Sequence, residues 1–412
     1  MISFHKLAYA VLTPLAVTIS LSTTHAGAHP RGHEHADQTE GSARSSSNSH
    51  DDQLDAFQQL LDASPTDEKT AVAYARYAVS KARRLGDTDL LRQAEHALSP
   101  WDDNANVANE VLIVRANIKQ IDHRFDDALS DLEIVLRRQP SNPQALLSRA
   151  FILATTGDAK SGIKDCAALK PNVSLVIRET CAARLSSLTG ALDASQRRMK
   201  AVLQIARTAD SEERNFALAV AAEIAQRNGA ADLAEQYYSA LLATDPESVF
   251  ARAAYADFLL NENNRAAALE VIGDAPHTEA LLLLSALGGN NTNDALSIKS
   301  ADELSARMAS DRISGDFSHA REYARFAFDY LNDPELALVF AQENWRVQKE
   351  PIDARILARA AIANGAQEIL INLKQWLAHS GFEDPKLERI LMQPLTTHGF
   401  GREASISPLS NP

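Results

Sequence analysis

A spacing of 34 residues in the middle of the chain constrains its fold more than any other feature. Three pairs of similar residues between Asn215 and Ile272 are separated by this interval: Ala222 and Ala256, Gly229 and Asn263, and Ala234 and Ala268. Each copy is long enough for two antiparallel helices joined by a turn. A single helix pair leaves an apolar face exposed, so such pairs become stable when they stack into a continuous core.

The same period extends along most of the chain. The predicted turns fall at Gly86, His123, Gly157, Gly190, Gly229 and Asn263. A turn that ends a helix in this way requires the positive φ that glycine adopts most easily. Beyond Ile272 the repeat weakens, but helices are still predicted over 294–312, 320–331, 335–348, 353–363, 366–379 and 385–391. No period-two run of β-branched residues occurs, so the fold class is all-α.

The best copy carries a more specific pattern. In the stretch 232–246, Ala234, Tyr238 and Pro246 occupy the small, aromatic and proline places of the tetratricopeptide repeat. The chain therefore resembles the tetratricopeptide repeat family. The resemblance implies a right-handed α-solenoid of stacked helix-turn-helix pairs with a curved inner wall along an elongated interior. An ordinary helical bundle with a chance repeat is the alternative.

The resemblance also implies which residues face a partner. In this family the first helix of each pair lines the inner groove, and the corresponding places here hold Ile113, Asn117, Leu147, Phe151, Phe216, Glu223, Phe250 and Asp257. Apolar anchors next to acidic residues would suit a protein or peptide segment that carries positive charge. The alternative is that these side chains pack against neighbouring helices. Only Asn117 fits the clamp that chaperone-binding relatives use for a carboxylate, so that mode is not expected.

The first 28 residues are typical of a secretory signal peptide. Lys6 precedes an apolar run from Leu7 to Leu21, and small residues at 24–26 or 26–28 fit a cleavage site. The run is short and Pro14 interrupts it, so we expect an exported, periplasmic protein without membrane insertion after cleavage, and a permanent membrane anchor is the alternative. The remaining chain divides into a His-containing linker expected to be disordered, the solenoid, a degenerate repeat part and a loose tail, over 29–52, 53–272, 273–392 and 393–412.

The linker raises a second hypothesis. His29, His33 and His35 lie near acidic residues, and imidazole suits Zn, Cu and Ni. Their spacing fits no closed site, and nothing fixes their orientation. A metal-handling accessory protein is therefore the alternative function, and a solvated linker is the simpler interpretation.

Two cysteines flank a predicted turn. Cys166 lies in the second helix of one pair and Cys181 in the first helix of the next, so the two residues should lie at similar height on facing helices. In an exported protein they would either form a disulfide or pack as two small buried thiols. The sequence leaves both open, because the helix phase decides whether the Cβ vectors meet.

Charge and motifs exclude several function classes. The net charge is −13, which disfavours binding to phosphate backbones. Phosphate loops, zinc-protease helices, nucleophile elbows and CxxC pairs are absent from the sequence. We therefore expect no enzyme, no cofactor and no nucleic-acid partner. The leading hypothesis is an exported scaffold for protein interaction.

Overall fold

The computed structural model describes residues 7–8, 18–19, 45–102, 106–171, 173–274, 276–290 and 292–393. Two short antiparallel strands, β1 (Leu7–Ala8) and β2 (Thr18–Ile19), pair Leu7 with Ile19 and Ala8 with Thr18. The rest of the described chain is helical. Helix α1 (Ser45–Ala63) begins inside the stretch 29–52 that composition predicts to be disordered.

Nine helix pairs follow in chain order within the described residues. The first five pairs are α2 (Glu68–Leu85) with α3 (Thr88–Leu98), α4 (Asn109–Ile121) with α5 (Phe125–Arg138), α6 (Pro143–Thr155) with α7 (Ala159–Ala168), α8 (Leu175–Ser187) with α9 (Leu192–Ala206), and α10 (Ser211–Arg227) with α11 (Ala231–Thr244). A 3-10 turn at Ser99–Trp101 follows α3.

The last four pairs are α12 (Val249–Asn261) with α13 (Arg265–Ile272), α14 (Glu279–Gly288) with α15 (Ala295–Ser314), α16 (Ala320–Asp329) with α17 (Pro334–Val347), and α18 (Pro351–Ala363) with α19 (Gln367–Ser380). Helix α20 (Pro385–Leu391) packs on α18. The predicted all-α stack of helix pairs is therefore confirmed, including pairs in the part where the repeat is weak.

The turns form where the sequence places them. All six predicted turn residues have positive φ: Gly86, His123, Gly157, Gly190, Gly229 and Asn263. Helix starts are fixed by side-chain caps, such as Asp87, Asn142 and Asp210, each of which accepts a hydrogen bond from a backbone N–H in the first turn. The turn residues and the caps thus define each helix hairpin through contacts between residues close in sequence.

Small and aromatic residues alternate inside the stack. Ala222 and Ala234 are fully buried, so α10 and α11 approach closely, while Tyr238 and Phe258 fill the space toward the next pair with ring centroids 5.5 Å apart. This is the arrangement that the 34-residue period predicts.

The stack does not stay extended, because its first pair meets its sixth. Helix α2 packs against α12, and the Arg84 guanidinium binds the Asp245 carboxylate at 3.0 Å. At the neighbouring turn, the His277 ring lies 2.8 Å from the backbone oxygen of Leu85. The elongated interior expected from the sequence is therefore closed by contacts between residues about half the chain apart.

The last pairs fold back onto the C-terminal ends of α6 and α8 in the early pairs. The backbone N–H of Lys349 donates to the oxygen of Thr155 at 2.7 Å, and that of Glu383 donates to the oxygen of Leu188 at 3.0 Å. A Cβ atom added at Gly157 would lie 3.0 Å from the Trp376 ring. The early and late pairs consequently share one buried core.

Among the described residues, none of the helices combines the length and the apolar character that a membrane span requires.

Candidate functional site

Closure of the stack forms a chamber of about 410 Å³ that remains open to solvent on one side. First helices contribute most of its wall, and the ends of α2 and α4 together with their turns complete it. The chamber therefore belongs to several helix pairs at once, and a ligand inside it would contact both halves of the chain.

One part of the wall is apolar. It is formed by side chains of α12, α14 and α18, namely Val249, Phe250, Ala253, Leu283, Leu284 and Ile352. Apolar surface of this kind supplies affinity by burial, whereas a few fixed polar groups orient what binds.

The rest of the wall is charged and largely paired. Seven carboxylates and six guanidinium groups line the chamber, so their charges almost balance. Most of them form ion pairs with one another or with residues just behind the wall, which offsets the free energy of taking a charge out of water.

A chain of buried ion pairs joins the two halves across the chamber. Glu350 accepts from Arg184 at 3.1 Å and from Arg321 at 3.0 Å, and Arg184 lies 3.4 Å from Glu223. Arg321 also binds Asp353 at 2.6 Å. Burial alone would raise the pKa of Glu350, but the charges of Arg321 and Arg184 outweigh it and hold that pKa below its ordinary value.

His123 occupies a special position in the wall. It has a φ of 59° at the α4–α5 turn, and its Nδ1 lies 3.1 Å from Gln348 Nε2. Burial lowers the pKa of His123 to about 3, and the positive charge of Arg321 acts in the same direction. The ring is therefore neutral at physiological pH, and Nδ1 accepts the hydrogen bond that Gln348 donates.

Glu322 differs from the other carboxylates of the chamber. It is 9% exposed, and within the described part of the chain it forms no ion pair. Burial raises the pKa of Glu322, a shift that the charges of Arg321 and His319 only partly oppose. Glu322 is thus a buried acid of the chamber wall that no ion pair within the described chain neutralises.

A second cavity of about 550 Å³ lies on the far side of the Asp257–Arg325 pair. Asp257 and Arg325 are 2.7 Å apart and line both spaces. Its wall is mainly polar, with Asn261, Asn263 and Lys386 among its side chains.

The structure separates the predicted groove residues into two groups. Glu223, Phe250 and Asp257 line the chamber. The other five are buried outside its wall: Ile113, Asn117, Leu147, Phe151 and Phe216. Phe151 of the third pair contacts Phe216 of the fifth pair edge to face at 5.9 Å, so these two rings pack against each other.

The late helix pairs supply the lining residues that the sequence does not single out, including Glu322, Arg321 and Glu350. They lie beyond Ile272, where the repeat pattern is too weak to assign groove places. His123 is predicted as a turn residue, and nothing in the sequence indicates that it faces a cavity.

The two cysteines form a disulfide. Cys166 and Cys181 have Cα atoms 5.7 Å apart, within the range that a disulfide requires. The bond connects α7 to α8 and so ties one helix pair to the next.

The three candidate metal ligands His29, His33 and His35 lie outside the described residues. In the described part of the chain, no group of three or more His, Cys, Asp or Glu side chains is arranged to hold a metal ion.

No family model matches the sequence, and neither does any curated protein. Solved structures that resemble it include a tetratricopeptide repeat protein from Parabacteroides merdae, at 13% identity and a TM-score of 0.35, over 69% of this chain and 97% of that one. The APC/C hetero-tetramer Cut9-Hcn1 matches at 15% identity and a TM-score of 0.49, over 83% of this chain and 66% of that one. Yeast Tom70 matches at 12% identity and a TM-score of 0.38, over 84% of each chain.

Proposed function

We propose that this protein is a non-catalytic, exported scaffold that holds a segment of a partner protein in the chamber. Stacked helix pairs present an extended inner surface to partners, and here part of that surface lines the chamber. The proposed partner-binding surface therefore lies where the early and late pairs meet, and not along the early pairs alone.

The chamber itself is the observation that carries the proposal. Its volume of about 410 Å³ is in the range of protein ligand sites. An apolar wall at Phe250 and Leu283 faces a wall of charged groups fixed by ion pairs, so apolar burial and charge complementarity can act on the same segment.

The state of the charged groups supports a binding role over catalysis. Arg184, Arg321 and Arg325 are held by carboxylates at 2.6 to 3.4 Å, and His123 is buried as a neutral ring. The two cysteines are bonded to each other and offer no thiolate. Charged groups that are held in ion pairs determine the shape and charge of the chamber wall, as a binding site requires.

Site-specific photo-crosslinking tests this function. A benzoylphenylalanine residue at Phe250 should form adducts with a partner in cells, because this side chain lines the chamber. The control is the same residue at Ile371, which is 54% exposed on the second helix α19. Adducts at Ile371 with none at Phe250 would contradict the proposal.

Export belongs to the same proposal. It is supported by the apolar run after Lys6, and the disulfide suits an oxidising compartment. Mass spectrometry of protein from the periplasmic fraction should find a chain that starts at Gly27 or His29. A full-length chain confined to the cytoplasm would contradict export.

The metal hypothesis remains a hypothesis about the linker. Calorimetric titration of Zn, Cu and Ni into the mature chain, with and without residues 29–52, separates it from the scaffold proposal. Equal heats for the two forms would remove the linker as a metal site.

A further inference from the structure

Glu322 is a buried acid that faces the chamber without a counter-ion. Glu322 is 9% exposed and lies in the first turn of α16. The other wall carboxylates are occupied: Glu223 and Glu350 pair with Arg184, Asp257 with Arg325, Glu279 with Arg307 and Asp122 with Arg124, while Asp87 caps α3. Glu322 forms no ion pair within the described chain; its carboxylate interacts with its own backbone N–H, and the charges of Arg321 and His319 act on it without contact.

The neighbouring arginines form their ion pairs with carboxylates other than Glu322. Arg321 is committed to Glu350 and Asp353, and Arg325 is committed to Asp257 at 2.7 Å. A carboxylate buried without a partner is unfavourable, and burial raises the pKa of Glu322 accordingly. A cation that entered the chamber would remove this penalty, because it would restore the missing counter-charge.

The same chamber offers an apolar path beside this acid. Phe250 and Ala253 of α12 and Leu283 and Leu284 of α14 line it, and α14 packs between α12 and α16. A flexible aliphatic stem suits such a wall, because its methylene groups are buried while the charged end reaches a polar partner.

We infer that the chamber recognises a positively charged group at the end of an aliphatic stem, the chemistry of a lysine side chain, and that Glu322 is its counter-ion. This inference rests on the proposed function, since it names what the partner segment carries into the chamber. Arg184, Arg321 and Arg325 are already paired with carboxylates, so Glu322 is the buried group that we expect to select the charge of the ligand. The apolar wall favours a ligand that carries this charge at the end of a hydrocarbon stem.

The test compares two peptides that differ in one ammonium group. The first is the acetylated pentapeptide amide Gly-Leu-Lys-Leu-Gly, and the second carries norleucine in place of lysine. Isothermal titration against the mature protein should show that the lysine peptide binds roughly tenfold more tightly. Glu322→Gln should reduce this preference to about twofold or less, because the amide keeps the shape and loses the charge.

Glu335→Gln is the matched control. Glu335 lies in the first turn of α17, is exposed and is not part of the chamber wall. This variant should keep the full preference of the unchanged protein. Circular dichroism and thermal unfolding of both variants check that each is folded.

Free pentylamine distinguishes the source of the ammonium group. Its competition with the lysine peptide supports recognition of the amine itself, whereas failure to compete supports recognition of the amine as part of a peptide. Equal affinity for the lysine and norleucine peptides overturns the inference and leaves the scaffold proposal intact. Binding of neither peptide overturns it as well, and crosslinking at Phe250 then tests the scaffold proposal independently. An unchanged preference in Glu322→Gln would show that another group selects the charge.

Discussion

Replacement of Arg321 by methionine should loosen the packing of α16 against α18 inside the late helix pairs. Arg321 is 4% exposed and donates to Asp353 at 2.6 and 2.8 Å, to the Gln348 side chain at 2.6 Å and to Glu350 at 3.0 Å. Methionine fills similar volume without donating a hydrogen bond. The variant therefore leaves two buried carboxylates with one cation fewer.

The size of the effect follows from what each partner retains. Asp353 keeps hydrogen bonds from Asn344 at 2.7 Å and from the backbone N–H of Glu350 at 2.9 Å, and Glu350 keeps its contact with Arg184 at 3.1 Å. Removal of one partner from a buried ion pair costs about 3–5 kcal/mol. With these remaining contacts we expect a loss of about 3 kcal/mol, the lower end of that range.

Urea unfolding and native-state hydrogen exchange measure this loss. Because a long repeat stack need not unfold in one step, amide exchange locates the weakened part. Protection should fall in α16 and α18 and remain in α10 and α11. Arg346→Met is the control, since Arg346 pairs with Glu343 at 2.7 Å on the surface and its side chain is 72% exposed. That variant should lose at most about 1 kcal/mol.

A loss in Arg321→Met no greater than in Arg346→Met would refute this account of the buried ion pairs between α16 and α18. The pH dependence provides an independent check. The pKa of Glu350 is held below its ordinary value in the folded chain, so its contribution to stability is present at neutral pH. That contribution should be lost as the pH falls below the unfolded pKa of about 4.3 and through the lower folded pKa.

Three further predictions concern single features. Gly157→Ala should lower the free energy of unfolding in urea by more than Gly229→Ala does. At Gly229 an added Cβ meets nothing within 4 Å, so only the strain of positive φ applies, about 1–2 kcal/mol. At Gly157 the added Cβ also meets a neighbour at 3.0 Å. Equal losses would contradict that contact. Reduction of the Cys166–Cys181 disulfide, which closes a loop of 15 residues, should lower the free energy of unfolding by about 3 kcal/mol, and the doubly serine-substituted chain should then show no response to reductant. Glu322→Gln should raise the thermal midpoint of unfolding at pH 7. The reason is that a carboxyl group whose pKa is raised in the folded state destabilises the fold once the pH exceeds its unfolded pKa. The gain in thermal midpoint should vanish near pH 3, and a gain that persists there would refute this origin.

The repeat and its turns are readable from the sequence because both depend on neighbouring residues. The spacing of small and aromatic side chains defines each pair, and residues such as Gly229 and Asn263 set the turns. Their positive φ in the structure shows that local conformational preference and tertiary packing agree at these positions. Helices beyond the clear repeat are also predictable, since α20 (Pro385–Leu391) coincides with its predicted range.

The candidate site was only partly predictable for the same reason. Phe250 and Asp257 could be named because they lie on the inner face of a clear repeat. Glu322 could not, because its sequence neighbourhood shows an ordinary acidic residue at a helix start. Its lack of a counter-ion depends on which residues from other pairs surround it.

The amino-acid sequence by itself determined that this chain forms successive helix pairs and where each pair turns. Only the tertiary structure decided that the stack closes, that α2 meets α12 and that Arg184 and Arg321 share Glu350 across the interior. The physical reason is that each pair is rotated slightly against the last by its own contacts. These rotations add along the chain, so their sum determines which distant residues meet.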